Sequence, residues 1–311
     1  MSQPPLIVVG MHRSGTSLAA SLLASAGMSA GDRLMEGNWS NPRGHFEDLD
    51  FVELHMAALE RLSLHRDGWS LTEVRALPAD LAGHACWLVD QKAKPGRPWC
   101  FKDPRATLFV RMWLELVPAA KFLVVFRPPW EVVDSLYRRG DSVFDDDPAL
   151  AINVWMHYNR SLLSVAAEAP DRFFLTSVDA VAAAPARWVD AVKDWLGVPL
   201  GAPDPAICDP HLLHGRFARA EADLVARHFP DALRLLADLE KRGWRPDGWK
   251  PAPVPADPSD PEEARAVALR SWQEKGALAF RCERLGAELE QLREEARQRG
   301  GEKSDSDRNA G

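Results

Sequence analysis

Short apolar runs alternate with stretches whose apolar residues recur at helical spacing, from about residue 4 to residue 245. An apolar run of about 4 to 8 residues bounded by turn signals is typical of a strand buried on both faces of a parallel sheet. The pattern predicts strands at Leu6–Val9, residues 99–101, Lys121–Phe126 and residues 172–175. It predicts helices from residue 18 to Gly27 and over residues 108–116, 130–139, 148–168 and 178–196. This alternation predicts an α/β fold with a central parallel sheet flanked by helices.

The C-terminal part of the chain differs from the rest in composition. Residues 246–261 contain six prolines, and because proline fixes φ and removes a backbone donor, an extended linker is predicted there. Residues 262–299 are rich in Ala, Glu, Arg and Leu, and a short heptad pattern predicts a helical, coiled-coil tail. The seam of this pattern is formed by Leu278, Cys282, Leu285, Leu289, Leu292 and Ala296. Residues 300–311 are predicted to be disordered, which leaves residues 1–245 as the α/β domain.

Composition and charge narrow the function classes. The formal net charge of −7 argues against a general nucleic-acid binder, which would carry a basic field. The apolar runs are too short to span a bilayer, and no charged-then-apolar leader precedes the first of them. The four cysteines are scattered without a CxxC pair, which favours reduced thiols in the cytoplasm and excludes a disulfide scaffold or a cysteine-built zinc site. The expected class is a cytoplasmic globular protein.

A phosphate-binding loop is predicted directly after the first strand. Glycines let a loop wrap a phosphate with backbone N–H groups, and the N-terminus of the following helix adds partial positive charge. The spacing matches GxxxxGK[ST], but threonine stands in place of the lysine that a triphosphatase uses on its β- and γ-phosphates. The alternative is a strand–helix turn without a ligand. The candidate binding residues of the loop are Gly10, His12, Arg13, Ser14, Gly15, Thr16 and Ser17.

A second anion-binding group is predicted after the third strand. Arg127 follows Phe126 at the carboxyl end of that strand, where open α/β sheets bind ligands. In the next helix Ser135 and Arg138 share a stripe separate from the apolar face. Arg127, Ser135 and Arg138 are therefore candidates for holding a second phosphate group.

The two motifs together resemble those of the sulfotransferases that use 3′-phosphoadenosine 5′-phosphosulfate (PAPS), and the bacterial branch of that family is the most similar. The resemblance covers roughly residues 5–215 and includes residues 41–55, 101–105 and 155–163. It implies a P-loop-like sulfotransferase fold, a loop that binds the 5′-phosphosulfate, and an arginine followed eight residues later by a serine for the 3′-phosphate. The sequence departs from the family at Pro128, where many members carry a polar residue, and the C-terminal glycine-rich segment of the animal enzymes is not visible.

Sulfuryl transfer needs groups that neutralise the leaving phosphate and take a proton from the acceptor. Arg13 and Lys102 are the candidate cations. His12 is a candidate catalytic residue, because it lies where charge would develop during transfer; the alternative is a surface histidine. The resemblance favours Glu47 as the base, with His45 as the second candidate. Arg43 and Arg105 are further crevice cations, or they pair with nearby aspartates. His211 and His214 are expected either to line the pocket or to lie in a loop. No motif in the sequence indicates a metal ligand.

Two other functions remain open at this point. A P-loop kinase or nucleotide triphosphatase would need the missing loop lysine and an acidic strand end for magnesium, whereas the clearest strand ends in Arg127. A non-catalytic scaffold would retain the fold and use the helical tail as its working part. The favoured function is sulfuryl transfer from PAPS to a hydroxyl of a carbohydrate or a small metabolite, without a metal. The tail is predicted to serve a homo-oligomer or a docking partner, and deletion after Pro246 is predicted to spare activity.

Overall fold

The computed structural model describes residues 4–37, 44–94, 96–208, 219–251 and 262–308. The strands are β1 (Leu6–Val9), β2 (Cys100–Lys102), β3 (Lys121–Phe126) and β4 (Phe173–Ser177). They form a single parallel sheet, among the described residues, with the strand order β2–β1–β3–β4. Leu6 lies opposite both Cys100 and Lys121, so β1 is paired on both edges. The predicted fold class is confirmed.

Side chains from alternate strand positions build two hydrophobic cores, one on each face of the sheet. Ile7 and Phe122 belong to the larger core, whereas Leu6, Val8 and Leu123 belong to the smaller one. This separation follows from the two-residue period of a strand. Because both faces are buried, β1 and β3 have continuous apolar sequences rather than alternating ones.

Helices cover both faces of the sheet. The smaller core is closed by α1 (Thr16–Ser25), α7 (Val178–Ala183) and α8 (Pro185–Leu196). The larger core is closed by α2 (Leu49–Arg61), α3 (Ala79–Lys92), α4 (Val110–Leu116), α5 (Pro129–Arg139), α6 (Ala149–Glu168), α9 (Arg219–His228), α10 (Pro230–Arg242) and α11 (Glu262–Arg308). No helix among the described residues has both the length and the apolar composition needed to cross a membrane.

Two predicted helices differ in detail from the structure. The single helix expected over residues 178–196 is divided into α7 and α8, because Pro185 lacks an N–H group and begins a new helix. The helix expected over residues 108–116 begins instead as a 3₁₀ helix at Pro104–Phe109, followed by α4. Its start is fixed by Asp103, whose side chain accepts a hydrogen bond from the Arg105 N–H.

The beginning of α11 packs against α5, although the sequence placed this helix outside the α/β domain. Leu269 and Trp272 are only 3% and 4% exposed and belong to the larger core. The Trp272 ring meets Tyr137 edge-on, with 5.5 Å between ring centroids. A Cβ at Gly276 would lie 2.7 Å from the Tyr137 Cβ, so glycine permits this close approach of the two helices.

The far end of α11 also differs from the prediction. Disorder was expected from residue 300, whereas the helix continues to Arg308. No proline interrupts residues 262–308, so no missing backbone donor breaks the helix there. Deletion after Pro246, which the sequence predicted to spare transfer activity, would remove Leu269 and Trp272 from the core.

We expect Trp272→Ala to lower the free energy of unfolding by about 3 kcal/mol, because it removes a buried indole between two helices. Chemical denaturation would measure the loss. Trp87→Ala is the matched control, since Trp87 is 54% exposed and should contribute little. Equal stability of the two variants would show that α11 does not pack on α5 in solution.

Candidate functional site

The loop between β1 and α1 is shaped by two glycines with positive φ. Gly10 has φ 145°, and a Cβ there would lie 2.2 Å from the Val125 carbonyl oxygen of β3. Gly15 has φ 91°, and its Cβ would lie 2.3 Å from Val178 Cγ2. The loop is therefore pressed between the ends of β3 and β4, and α1 begins immediately after it at Thr16.

The conformation of this loop suits an anion at the N-terminus of α1. Ser14 is 1% exposed, and its Oγ has no hydrogen-bond partner among the described residues. A buried hydroxyl without a partner is costly, and a phosphate oxygen would satisfy it. The Gly10 N–H is already used, since it donates to Thr107 Oγ1 at 3.0 Å, and that hydroxyl donates back to the Gly10 carbonyl oxygen at 3.2 Å. Gly10 thus shapes the loop, while its N–H binds the 3₁₀ helix Pro104–Phe109, to which Thr107 belongs.

The second predicted group lies beside the loop. Arg13 Nε donates to Ser135 Oγ at 2.8 Å, which joins the loop to α5. Arg127 lies close by, because one of its terminal nitrogens is 3.5 Å from the Arg13 carbonyl oxygen, and its Nε donates to Glu131 at 2.6 Å. Arg138 Nε donates to Asp134 at 2.8 Å. The end of β3 and helix α5 therefore bring Arg127 and Ser135, two of the residues predicted for the second phosphate, close to Arg13 of the loop.

Two further arginines lie near Arg13, namely Arg127, which pairs with Glu131, and Arg139, which pairs with Asp141. Burial, together with the positive charges of Arg139 and Arg127, lowers the pKa of Arg13 to about 10. No carboxylate pairs with the Arg13 guanidinium among the described residues. A half-buried cation without a directly paired carboxylate favours binding of an anion.

A second cluster joins the segment after residue 44 to the end of β2. Lys102 Nζ lies 2.7 Å from Glu47 Oε1, and an Arg105 nitrogen lies 3.6 Å from the other Glu47 oxygen. Glu47 and Lys102 are 6% and 2% exposed. Lys102 lies opposite Val8 of β1, so the cluster adjoins the strand that leads into the loop. Ser17 Oγ donates to the His45 carbonyl oxygen at 3.2 Å and connects α1 to the same segment.

A buried chain of hydrogen bonds connects Arg105 of this cluster to side chains of α2 and α4. Arg105 lies 2.6 Å from Asp103, and His55 Nδ1 lies 2.8 Å from the other Asp103 oxygen. Trp113 Nε1 donates to His55 Nε2 at 2.9 Å. An indole nitrogen only donates, so His55 carries its proton on Nδ1 and donates it to Asp103. Burial alone would raise the pKa of Asp103, but the Arg105 charge and the His55 hydrogen bond hold it well below its usual range.

The two candidate histidines have depressed pKa values. Burial, with the charges of Arg139 and Arg105, holds the pKa of His12 well below 6.5. His12 Nε2 donates to the Asp67 carbonyl oxygen at 2.9 Å. The pKa of His45 is lowered chiefly by burial, and its Nε2 has no hydrogen-bond partner among the described residues. Both rings are therefore uncharged at neutral pH, a state in which the free nitrogen of His45 can accept a proton.

Three predicted residues, Arg43, His211 and His214, lie outside the described residues. Sequence reasoning also missed residues that the structure places at the site. The sequence signal for Thr107 is its position two residues after the KDPR segment at residues 102–105. His55 and Trp113 meet Asp103 only through packing of α2 and α4, and no local motif marks them. Among the described residues, no group of three or more His, Cys, Asp or Glu side chains has an arrangement suited to a metal ion.

Comparison with known proteins identifies the class. A model of the sulfotransferase family matches residues 4–202, so the chain belongs to the sulfotransferase family. This confirms the family resemblance and indicates sulfuryl-transfer chemistry. No curated protein matches the chain. The family match ends before α9, α10 and α11, which therefore lie outside the residues matched by the family model.

Several solved structures are similar in outline. A sulfotransferase from Alicyclobacillus acidocaldarius aligns with a TM-score of 0.49 and 16% identity, covering 78% of this chain and 98% of that one. Sulfotransferase STF9 from Mycobacterium avium aligns with a TM-score of 0.48 and 14% identity, covering 78% of this chain and 79% of that one. A sulfotransferase domain from the curacin biosynthetic pathway aligns with a TM-score of 0.41 and 16% identity, covering 79% of this chain and 100% of that one.

Proposed function

We propose that the protein transfers a sulfuryl group from PAPS to an acceptor hydroxyl. The observation that carries the proposal is the half-buried arginine–serine pair, Arg13 and Ser135, beside a lysine-less loop with an unsatisfied Ser14 hydroxyl. A donor with a 5′-phosphosulfate and a 3′-phosphate presents anionic groups to both features. Arg127 adds a further cation 3.5 Å from the Arg13 backbone, and guanidinium groups suit phosphate geometry.

In the proposed reaction the acceptor oxygen forms a new bond to sulfur while the bond between sulfur and the bridging phosphate oxygen breaks. The electron pair of that bond goes to the leaving 5′-phosphate, which the loop N–H groups, Arg13 and Lys102 stabilise. Glu47 takes the acceptor proton, and His45 is the second candidate. Glu47 is held in place by Lys102 at 2.7 Å from one oxygen. Its other oxygen lies 3.6 Å from an Arg105 nitrogen, and in the proposal this more weakly held oxygen takes the proton. The acceptor is proposed to be a carbohydrate or a small metabolite.

Binding of the desulfonated product tests the donor assignment most directly. We expect calorimetry without magnesium to show clear preference for 3′-phosphoadenosine 5′-phosphate over ADP and ATP. A preference for ATP that requires magnesium would favour a kinase, and binding of none would favour a non-catalytic scaffold. The cytoplasmic location and the independence from metal stay predictions, and activity retained in excess chelator would support the second.

We expect Arg127→Ala to weaken 3′-phosphoadenosine 5′-phosphate binding by about 10- to 100-fold, while ADP binding changes far less, because one charge-assisted phosphate contact is lost. The control is Arg187→Ala, an exposed arginine paired with Asp247. Both proteins would be titrated with both nucleotides. If the two affinities fell equally in Arg127→Ala, its role at the 3′-phosphate would be refuted.

We further propose that a second copy of this chain packs on the exposed seam of α11. Leu278, Leu285, Leu289 and Leu292 are between 49% and 61% exposed, and their heptad spacing suits a two-stranded coiled coil. In a parallel pair, Glu288 of one chain faces Arg293 of the other, and these charges are complementary. The charge pattern therefore favours a parallel dimer.

Cys282 lies in the seam and is exposed, so it reports on the arrangement. In a parallel dimer the two Cys282 thiols face each other, and we expect a short bifunctional maleimide to crosslink the chain to a dimer. Cys282→Ser should abolish the crosslink, whereas Cys86→Ser should not. A monomer by light scattering at micromolar concentration would contradict the dimer.

A further inference from the structure

A cavity of about 540 Å³ lies between α5 and α11, next to the loop. Its α5 side is lined by Ser135 and Arg138, and Arg13 of the loop opens into it. Its α11 side is lined by Phe280, Arg284 and Gln291. The volume is in the range of small-molecule sites, which is about 300 to 1,000 Å³. The cavity therefore joins the Arg13–Ser135 pair to a helix that lies outside the family match.

The position of α11 over the cavity is fixed by close packing. Gly276 lies against Tyr137, as described above, and one helical turn later the Phe280 ring lies 3.7 Å from where a Cβ of Gly140 would be. Gly140 ends α5 with φ 74°. These two contacts set the register of α11, and that register places Arg284 one turn further on, at the wall of the cavity.

Cations outnumber carboxylates on the walls of the cavity. Arg138 is 3.3 Å from Glu283 and 2.8 Å from Asp134, and Arg284 is 3.5 Å from Glu288 at i,i+4 spacing. Arg139 also lines the cavity and pairs with Asp141. Arg13 has only the neutral Ser135 hydroxyl as its side-chain partner among the described residues. An anion in the cavity would complete the coordination of Arg13.

We propose that α11 forms the outer wall of the donor site and that Arg284 contacts the 3′-phosphate of the bound nucleotide together with Ser135. The inference rests on the proposed function and deepens it, because it assigns a nucleotide contact to a segment beyond the family region. The side chain of Arg284 is 55% exposed, and its ion pair in the described part of the chain is with Glu288 of its own helix. Such surface pairs are weak, so a phosphate competes effectively for this guanidinium.

The opposite face of α11 carries the leucine seam, and Glu288 is a residue that both proposed roles use, since it lines the cavity and pairs with Arg284. At about 100° per residue, Phe280, Arg284 and Gln291 lie on the side of the helix away from Leu285 and Leu289. The cavity face is turned to the domain, and the leucines are exposed. A second copy bound to the seam would leave the cavity wall in place.

The test compares two neighbouring arginines of α11. Arg284→Ala should weaken 3′-phosphoadenosine 5′-phosphate binding about tenfold, the loss expected for one charge-assisted phosphate contact, with ADP binding within about twofold of wild type. Arg281→Ala is the matched control, because Arg281 is exposed and does not line the cavity. Arg284→Lys, which keeps the charge but not the fork of donors, should fall between the two.

The outcomes separate this inference from the proposed function. If the wild-type protein does not prefer the 3′-phosphorylated nucleotide, the proposed function fails and this inference fails with it. If the wild type shows the preference but Arg284→Ala and Arg281→Ala bind alike, the role of Arg284 is overturned while the donor assignment stands. An equal loss for ADP and for the 3′-phosphorylated nucleotide would likewise overturn the 3′-phosphate contact. Thermal unfolding of the two variants should coincide, because both residues are exposed.

Discussion

Replacing Glu47 with glutamine should lower the rate of sulfuryl transfer by about 10²- to 10⁴-fold, the range for loss of a general base. Glutamine has nearly the same shape and keeps an oxygen that accepts from Lys102, so the 2.7 Å contact of the buried pair is retained as a hydrogen bond. Donor affinity should stay close to the wild-type value, because the Arg13–Ser135 pair is formed by other residues. The loss is therefore expected in turnover rather than in donor binding.

The measurement is the conversion of PAPS to 3′-phosphoadenosine 5′-phosphate with the best acceptor from a panel of sugars and small alcohols. Glu53→Gln is the matched control, since Glu53 lies on α2, is 62% exposed and pairs with surface Arg33. Near-normal turnover of Glu47→Gln would remove Glu47 from the base role. His45→Gln would then be the decisive variant, because His45 Nε2 is the other proton acceptor near Glu47 without a partner among the described residues.

Much of the fold follows from local sequence patterns. The apolar runs of β1 and β3 predict strands buried on both faces, and Ile7 and Leu6 do belong to opposite cores. The packing of α11 was not predictable in this way. Its heptad seam dominates the pattern, whereas the contacts to α5 depend on Trp272 and Gly276, two positions outside that seam. Contacts between residues more than 100 positions apart leave no periodic trace.

The candidate site was predictable to a similar extent. The loop and the Arg127–Ser135 spacing follow from motifs, and the structure does bring these residues close together. The exact pairing does not follow, because Ser135 bonds to Arg13 while Arg127 bonds to Glu131. The link between Glu47 and Lys102 spans 55 positions and depends on how the segment after residue 44 returns to β2. Such tertiary pairings are set by the fold rather than by local spacing.

Gly10→Ala should destabilise the protein by about 4 to 5 kcal/mol, because backbone strain and a steric clash add together at this position. Its φ of 145° is rarely adopted by L residues, and the new Cβ would lie 2.2 Å from the Val125 carbonyl oxygen, which is main chain inside the sheet. Neither β3 nor the loop can move away without breaking the pairing of Val9 with Val124. Loss of 3′-phosphoadenosine 5′-phosphate binding should accompany the loss of stability.

Gly27→Ala separates the two contributions. Gly27 also has a positive φ, 103°, but a Cβ there would meet nothing within 4 Å. This variant should lose only the cost of backbone strain, about 1 to 2 kcal/mol, and should bind the nucleotide normally. Chemical denaturation gives the free energy of unfolding of each variant, and the difference between the two values is the cost of the steric clash at Gly10. If Gly10→Ala were no less stable than Gly27→Ala, the loop would have room to relax, and close contact with β3 would not be what holds it in its phosphate-binding shape.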